Sequence, residues 1–160
     1  MKYSNFFTSL LLLGTIAVSL PVTSHAEESV GGTSVLFNFQ YKLALRDNVP
    51  AQYKLAGMYE AGDGIKQDLA QAEHWYGVAA KAGMKAAQDR LVYLTIKKQG
   101  YDPAKHSSWL ASVKSDANAG KGQSAFLLAQ LYHQGLGVKK DLDESLRLFQ
   151  QVSLLGDANV

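Results

Sequence analysis

The side chains that could bind a metal or transfer a proton are scattered along this chain. After the first 26 residues the histidines are His74, His106 and His133, and none stands at helical spacing from another. Glu73 is adjacent to His74, so on a helix these two side chains point to different parts of the surface. A zinc site needs several such ligands brought together. The spacing therefore predicts no metal site.

The sequence also lacks the short motifs that expose a nucleophile or cradle a phosphate. It contains no H-E-x-x-H, no G-x-S-x-G and no G-x-x-x-x-G-K-[ST]. It contains no cysteine, so neither disulfide nor thiolate chemistry is available. We therefore expect a protein that is not an enzyme, with no catalytic residue and no cofactor.

The charge balance argues against nucleic acid as a partner. The chain has 16 basic and 14 acidic side chains and a formal net charge of +2. The longest runs of basic charge are the pairs Lys97-Lys98 and Lys139-Lys140. A nucleic-acid interface or an electrostatic membrane patch needs a denser basic surface.

The N-terminus has the pattern of a secretory signal. Lys2 precedes an apolar run over residues 6–20, which ends at Pro21 and is followed by small residues up to Ala26. The run is shorter than the roughly 20 residues that span a bilayer. We expect residues 1–26 to be a signal peptide cleaved after Ala26, leaving a periplasmic or secreted protein without an integral membrane span. A retained membrane anchor is the alternative.

The rest of the chain contains two copies of one sequence repeat. When Tyr59 is aligned with Tyr132, further residues of the two copies match, namely Gly62 with Gly135, Gly64 with Gly137, Asp68 with Asp141, Tyr76 with Phe149 and Gly83 with Gly156. Repeats of 20 to 50 residues indicate stacked supersecondary units. The sequence therefore predicts a repeat architecture.

Within each copy the pattern is that of a helix, a turn and a second helix. Leu55 and Tyr59 belong to an apolar stripe on the first helix, and Trp75 and Tyr76 to one on the second. The glycine pair between them supplies the left-handed backbone of a sharp reversal. Asp68 stands where its carboxylate can cap the second helix.

The same pattern sets the unit boundaries. After a flexible leader at 27–34, one domain at 35–160 contains a capping helix at 35–47 and repeats at about 50–83, 86–120 and 123–156, the middle one degenerate. In the capping helix an apolar face is predicted to consist of Leu36, Phe39, Leu43 and Ala44.

The pattern A-x3-L-[GA]-x2-Y-x2-G-x-G-[VI]-x2-D-x3-A-x2-W-[YF]-x2-A-A-x2-G resembles the Sel1-like repeat, a relative of the tetratricopeptide repeat. The last copy departs from it with Ser145 and Leu148. The resemblance implies an all-α, right-handed α-solenoid of helix-turn-helix units. It also implies a protein-binding adaptor, and for exported members a role in bacterial envelope or secretion processes.

First-helix positions that differ between copies are candidates for partner binding, because the packing of the repeat does not dictate them. In a curved stack the first helices line the concave wall, where partners usually dock. The candidates are Lys54, Arg90 and Leu127 at one aligned position, Gly57, Tyr93 and Gln130 at the next, and Lys97 and Gln134 at a third. The alternative is that these are ordinary surface residues.

Two other functions stay open. A peptidoglycan- or carbohydrate-binding module needs exposed aromatic rings on the concave wall, and Tyr93 is the only plausible one. A β-lactamase-like hydrolase is suggested by some cysteine-rich Sel1-like proteins, but this chain has no cysteine and no S-x-x-K, S-D-N or K-T-G motif.

The last repeat predicts an exposed apolar surface at the C-terminal end of the stack. Solenoids normally end in a polar outer face, but here the last helix carries Leu146, Phe149, Val152 and Leu155. We expect self-association or a partner contact at this C-terminal edge. A frayed last hairpin is the alternative.

Overall fold

The computed structural model describes residues 33–157. The expected signal peptide at 1–26 and most of the expected leader at 27–34 lie outside this range. Within it the chain forms seven helices and no strand. They are α1 (Thr33–Ala44), α2 (Val49–Ala61), α3 (Leu69–Lys81), α4 (Lys85–Gln99), α5 (Pro103–Asn118), α6 (Gly122–Gln134) and α7 (Leu142–Asp157).

Among the described helices, five of the six successive pairs pack closely. The close pairs are α1 with α2, α2 with α3, α3 with α4, α5 with α6 and α6 with α7. The first helices α4 and α6 also touch each other. The predicted all-α solenoid of helix pairs is confirmed.

The glycine turns have the same geometry in both copies. Gly62 and Gly64 have φ of 75° and 71°, and Gly135 and Gly137 have φ of 74° and 71°. A Cβ at Gly137 would lie 2.5 Å from the ring of Tyr101, so this position needs glycine for space as well as for backbone conformation. The predicted left-handed reversals are confirmed.

Aspartates begin the second helices, as expected. The Asp68 carboxylate accepts hydrogen bonds from the amides of Ala70 and Gln71, both at 3.0 Å. Asp141 accepts one from Glu144 at 2.9 Å. These contacts satisfy amides that have no partner inside the helix.

Small residues let the helices approach closely. Ala56, Ala72 and Ala79 have no exposed surface in the first repeat, and Ala125 and Ala129 have none in the last. Trp75 and Tyr76 are buried beside them. Tyr59 and Tyr132 are only half-buried at the edge of this core.

The predicted apolar face of α1 is wrong in its first half. Leu36 and Phe39 are 49% and 56% exposed. The inward positions are instead Phe37, whose ring lies edge-on to Tyr59 at 5.4 Å, and the buried Gln40. Phe37 rather than Leu36 therefore packs on the neighbouring helix, through an edge-to-face contact of the kind that aromatic pairs prefer.

The degenerate middle unit is built differently from its neighbours. Among the described helices, α4 and α5 are not a closely packed pair. Polar side chains bridge them instead: Trp109 Nε1 donates to Asp89 Oδ1 at 3.1 Å, and Lys85 Nζ lies 3.0 Å from Asp116 Oδ2. We call this opening between α4 and α5 the seam.

Acid should weaken the seam. Hydrogen bonds from Lys121 and Lys85 hold the pKa of Asp116 below its ordinary value of 3.8. A carboxylate whose pKa is lowered by folding stabilises the fold above its unfolded-state pKa, and this contribution is lost as pH falls through the folded-state pKa. We expect Asp116→Asn to flatten the fall in melting temperature below about pH 4.

The matched control is Asp143→Asn, which removes an exposed carboxylate from α7. It should keep the acid dependence of the native protein. An unchanged acid dependence in Asp116→Asn, measured by thermal melts across the acid range, would contradict this assignment.

Candidate binding groove on the first-helix face

The first helices α2, α4 and α6 enclose a cavity of about 400 Å³. Its lining comes mainly from these helices and includes Tyr53, Gly57, Arg90, Phe126 and Gln130. A second cavity of about 350 Å³ continues it toward α1, where Leu36, Gln40 and Lys54 line it. Both cavities share Gly57 and Ala61. Together they form one surface feature, which we call the groove.

An ion pair lies at the centre of the groove. Arg90 on α4 makes a bidentate contact with Glu60 on α2, with Nε 2.8 Å from Oε2 and Nη2 2.6 Å from Oε1. Its Nη1 donates to the side-chain oxygen of Gln130 on α6. The two charged side chains are only 12% and 10% exposed. Bidentate geometry of this kind fixes both side chains in orientation as well as in charge.

Two tyrosines complete this network. The Tyr76 hydroxyl donates to Glu60 Oε2 at 2.9 Å. Burial, and then the nearby Glu60 carboxylate, raise the pKa of Tyr76, so it remains a donor throughout the physiological range. The guanidinium of Arg90 lies 4.6 Å from the centre of the Tyr93 ring. We call these residues, Glu60, Tyr76, Arg90, Tyr93 and Gln130, the central network.

The central network links three helix pairs and cancels its own charge. Glu60 belongs to the first pair, Arg90 to the second and Gln130 to the third. Because the carboxylate and the guanidinium neutralise each other, the floor of the groove offers no net charge to a ligand. A neutral ligand is favoured there over an ionic one.

The structure brings most of the candidate binding residues together. Gly57, Arg90, Leu127 and Gln130 line the first cavity, and Lys54 lines the second. Lys97 is exposed and lines neither of them.

Tyr93 differs from expectation. Its side chain is 1% exposed, and its hydroxyl accepts a hydrogen bond from Gln134 Nε2 at 2.7 Å. The prediction of an exposed aromatic ring at this position is wrong, because the ring packs beneath Arg90 and inside the core.

Sequence reasoning missed the aromatic residues that do line the groove. They are Tyr53 and the 39% exposed Phe126. It also missed Glu60, the partner of Arg90. A signal for this pair was available, since the acid and the base occupy first helices of successive units, but only the fold shows that the two side chains meet.

The histidines lie outside the groove. His106 Nδ1 accepts a hydrogen bond from the amide of Asp102 at 3.0 Å, and His74 packs against Trp75. Across residues 33–157, no group of histidine and carboxylate side chains is arranged to hold a metal ion. In the same range, no helix combines the length and the apolar character needed to cross a bilayer.

Comparisons with known proteins point to one family. The Sel1 repeat model matches residues 49–84 and 122–157, which contain α2–α3 and α6–α7. No curated protein matches the chain.

Two solved structures are similar to this chain. A Sel1 repeat protein from Oxalobacter formigenes is 24% identical with a TM-score of 0.47, over 80% of this chain and 52% of that one. A protective antigen present in uropathogenic Escherichia coli strains, which displays an SLR fold, is 28% identical with a TM-score of 0.47, over 79% and 27%. The chain thus spans about half of the first protein and about a quarter of the second.

The assignment of Sel1 repeats rests on the two matched segments and on the helix pairs that they form. The glycine turns and the capping aspartates recur in both, and the first helices carry the groove. The chain therefore contains two Sel1 repeats, at residues 49–84 and 122–157.

Proposed function

We propose that this protein is a noncatalytic adaptor that holds a segment of a partner protein in the groove. Sel1 repeats typically mediate protein–protein interactions, which supports this function. The observation that carries the proposal is that the two cavities are adjacent and share Gly57 and Ala61. Two adjacent cavities suit an extended chain better than they suit a compact ligand.

The lining defines the partner segment. Leu36 and Phe126 offer exposed apolar contacts, and Gln130 offers an amide. An amide side chain can donate to and accept from a peptide bond. The proposed segment is therefore uncharged over the central network and carries apolar side chains on either side.

The central network prepares the groove for binding. Its side chains are already held by bonds between three helix pairs, so little ordering remains when a partner arrives. A preorganised surface loses less conformational entropy on binding.

We place this function outside the cytoplasm, in the bacterial periplasm or beyond, in envelope or secretion processes. The support is the basic, apolar and small-residue pattern of residues 1–26, which lie outside the described part of the chain. N-terminal sequencing of the exported protein tests this location, and cleavage after Ala26 is the expected result.

Gly57→Gln tests the groove. A Cβ at Gly57 would meet only the Tyr76 hydroxyl, at 3.6 Å, so the backbone tolerates a side chain there. The aligned position in the last repeat is already Gln130. Loss of a mid-helix glycine should stabilise the helix by about 0.5–1 kcal/mol, while the new side chain fills the point that joins the cavities. We expect the Gly57→Gln variant no longer to capture the proteins that the native chain captures by crosslinking in cell extracts.

Gly77→Gln is the matched control. Gly77 lies within α3, and a Cβ there meets nothing within 4 Å. This variant makes the same chemical change on a second helix, away from the groove, and should capture the same proteins as the native chain. Equal capture by Gly57→Gln and Gly77→Gln would contradict the groove as the binding site.

Carbohydrate binding is the second candidate, and the rings of Tyr53 and Phe126 in the first cavity favour it. Aromatic faces stack against the apolar faces of sugars. Sedimentation with purified cell wall tests it, with Phe126→Ala as the variant that should lose binding.

A further inference from the structure

The hydrogen-bond acceptors of the central network are already in use. Both side-chain oxygens of Glu60 accept, one from Arg90 Nη2 and the other from Arg90 Nε and the Tyr76 hydroxyl. The side-chain oxygen of Gln130 accepts from Arg90 Nη1. A guanidinium can only donate, so this contact fixes which end of the Gln130 amide faces Arg90. The amide nitrogen of Gln130 is left to donate elsewhere.

Unused donors line the same cavity. Gln130 Nε2 donates to no atom of residues 33–157, and in that range the side chains of Tyr53 and Gln123 make no hydrogen bond. All three residues line the first cavity. A ligand that covers these groups must bring acceptors to them, because a donor buried without an acceptor costs free energy. Its own donors would find the acceptors of the central network engaged.

A proline-containing segment has this balance of groups. Proline has a backbone carbonyl and no N–H, whereas every other residue brings one N–H for each carbonyl. The polyproline II conformation makes no internal hydrogen bonds, so its carbonyls stay available to a partner. Sugar hydroxyls donate as well as accept, so the donors of the groove match a carbohydrate less closely.

The spacing of the donors on α6 favours the same conformation. Gln123 and Gln130 are seven residues apart on one side of the helix, with Phe126 between them. At about 1.5 Å per residue, they lie about 10 Å apart along the helix axis. Polyproline II has three residues per turn and rises about 3.1 Å per residue, so each of its faces recurs every ~9 Å. One face of a β-strand recurs every ~7 Å, which does not match.

Two aromatic rings lie beside these donors, and each is held in place by a second ring. Phe126 of α6 packs on Phe149 of α7, with ring centres 5.5 Å apart. Tyr53 of α2 packs on Tyr76 of α3, with ring centres 5.3 Å apart. Grooves lined by aromatic rings are the surfaces on which proline-rich segments dock.

The position of Phe149 corrects the expected C-terminal edge. Leu146 is exposed as predicted, but Phe149 and Val152 are half-buried against the core. The side chain of Leu155 lies outside the described residues. Phe149 therefore supports a ring of the groove and is not part of an exposed edge.

We propose that the groove binds a segment in the polyproline II conformation that carries two prolines three residues apart. Gln123 and Gln130 donate to backbone carbonyls that are one turn of the segment apart, and the proline rings pack on Phe126 and Tyr53. This inference rests on the proposed adaptor function and adds the conformation and the composition of the partner segment.

Selection from a random peptide library displayed on phage tests this proposal without assuming a sequence. The native protein, taken from an exporting bacterial host, should select peptides that contain two prolines three residues apart. Inserting one alanine between these prolines should weaken binding about tenfold or more, because one glutamine then loses its carbonyl. Fluorescence anisotropy of the labelled peptides measures the dissociation constants.

Two variants remove the donors one at a time. Gln130→Glu keeps the length of the side chain and an oxygen for Arg90, and it should weaken the selected peptides about tenfold or more. Gln123→Glu changes an exposed side chain, and it should weaken the selected peptides but not those with the inserted alanine. The matched control is Gln71→Glu, exposed on α3 and outside both cavities, which should bind like the native protein. Circular dichroism and melting temperature will show that each variant is folded.

The outcomes separate this inference from the proposed function. Selected peptides that lack the paired prolines but lose binding to Gly57→Gln would overturn the inference and leave the adaptor function standing. Paired-proline peptides that bind Gln130→Glu and Gln123→Glu as tightly as the native protein would overturn it as well. If no peptide is selected, and purified cell wall binds the native protein but not Phe126→Ala, both proposals give way to carbohydrate binding.

Discussion

Replacing Arg90 with methionine should lower the free energy of unfolding by about 3 kcal/mol or more, because it leaves the Glu60 carboxylate largely buried without its counter-charge. Glu60 would keep only the hydrogen bond from Tyr76. The contact of the guanidinium with the Tyr93 ring and its bond to Gln130 would also be lost. Urea unfolding followed by circular dichroism measures this change.

The double variant Glu60→Gln with Arg90→Met separates the charge from the packing. It removes both charges while keeping side chains of similar length, so it should recover a large part of the stability lost in Arg90→Met. A double variant as unstable as the sum of the two single variants would mean that the ion pair contributes nothing as a pair.

Replacing Trp75 with alanine should cost about 3–5 kcal/mol, the range for deleting a large buried aromatic side chain. The indole is 9% exposed and packs edge-on against Tyr41 of α1 and against His74. Its loss would leave a cavity between α3 and the capping helix. Denaturant unfolding followed by circular dichroism gives the free energy, and Trp109 remains as a fluorescence probe.

Trp75→Phe is the matched variant. It keeps an aromatic ring in the same place and should cost clearly less than Trp75→Ala, because a smaller cavity remains. Equal losses in the two variants would show that the indole is not packed between α1 and α3.

The repeat turns were the most predictable part of the fold. Gly62 and Gly135 need left-handed backbone, and Asp68 and Asp141 need a free helix end, so each requirement is local and visible in the sequence. The side of α1 that turns inward was not predictable in this way. Leu36 and Phe37 are adjacent and both apolar, and only the position of Tyr59 on the neighbouring helix decides between them.

The groove was predictable as a location but not in its chemistry. Gly57 and Gln130, which vary between copies, line it. The same variation at Tyr93 marked a residue that is buried. A position can vary between copies because it meets a partner or because it meets a different neighbour in the core, and a single sequence does not separate these causes.

The seam between α4 and α5 bears on the width of the groove. One wall of the first cavity comes from α2, before the seam, and the opposite wall from α6, after it. One salt bridge and one indole hydrogen bond span the seam, where α4 and α5 are not closely packed. Such contacts can rearrange without unfolding either helix, which is the property of a hinge. We therefore expect a change in the width of the groove to be taken up at the seam, and not within a closely packed helix pair.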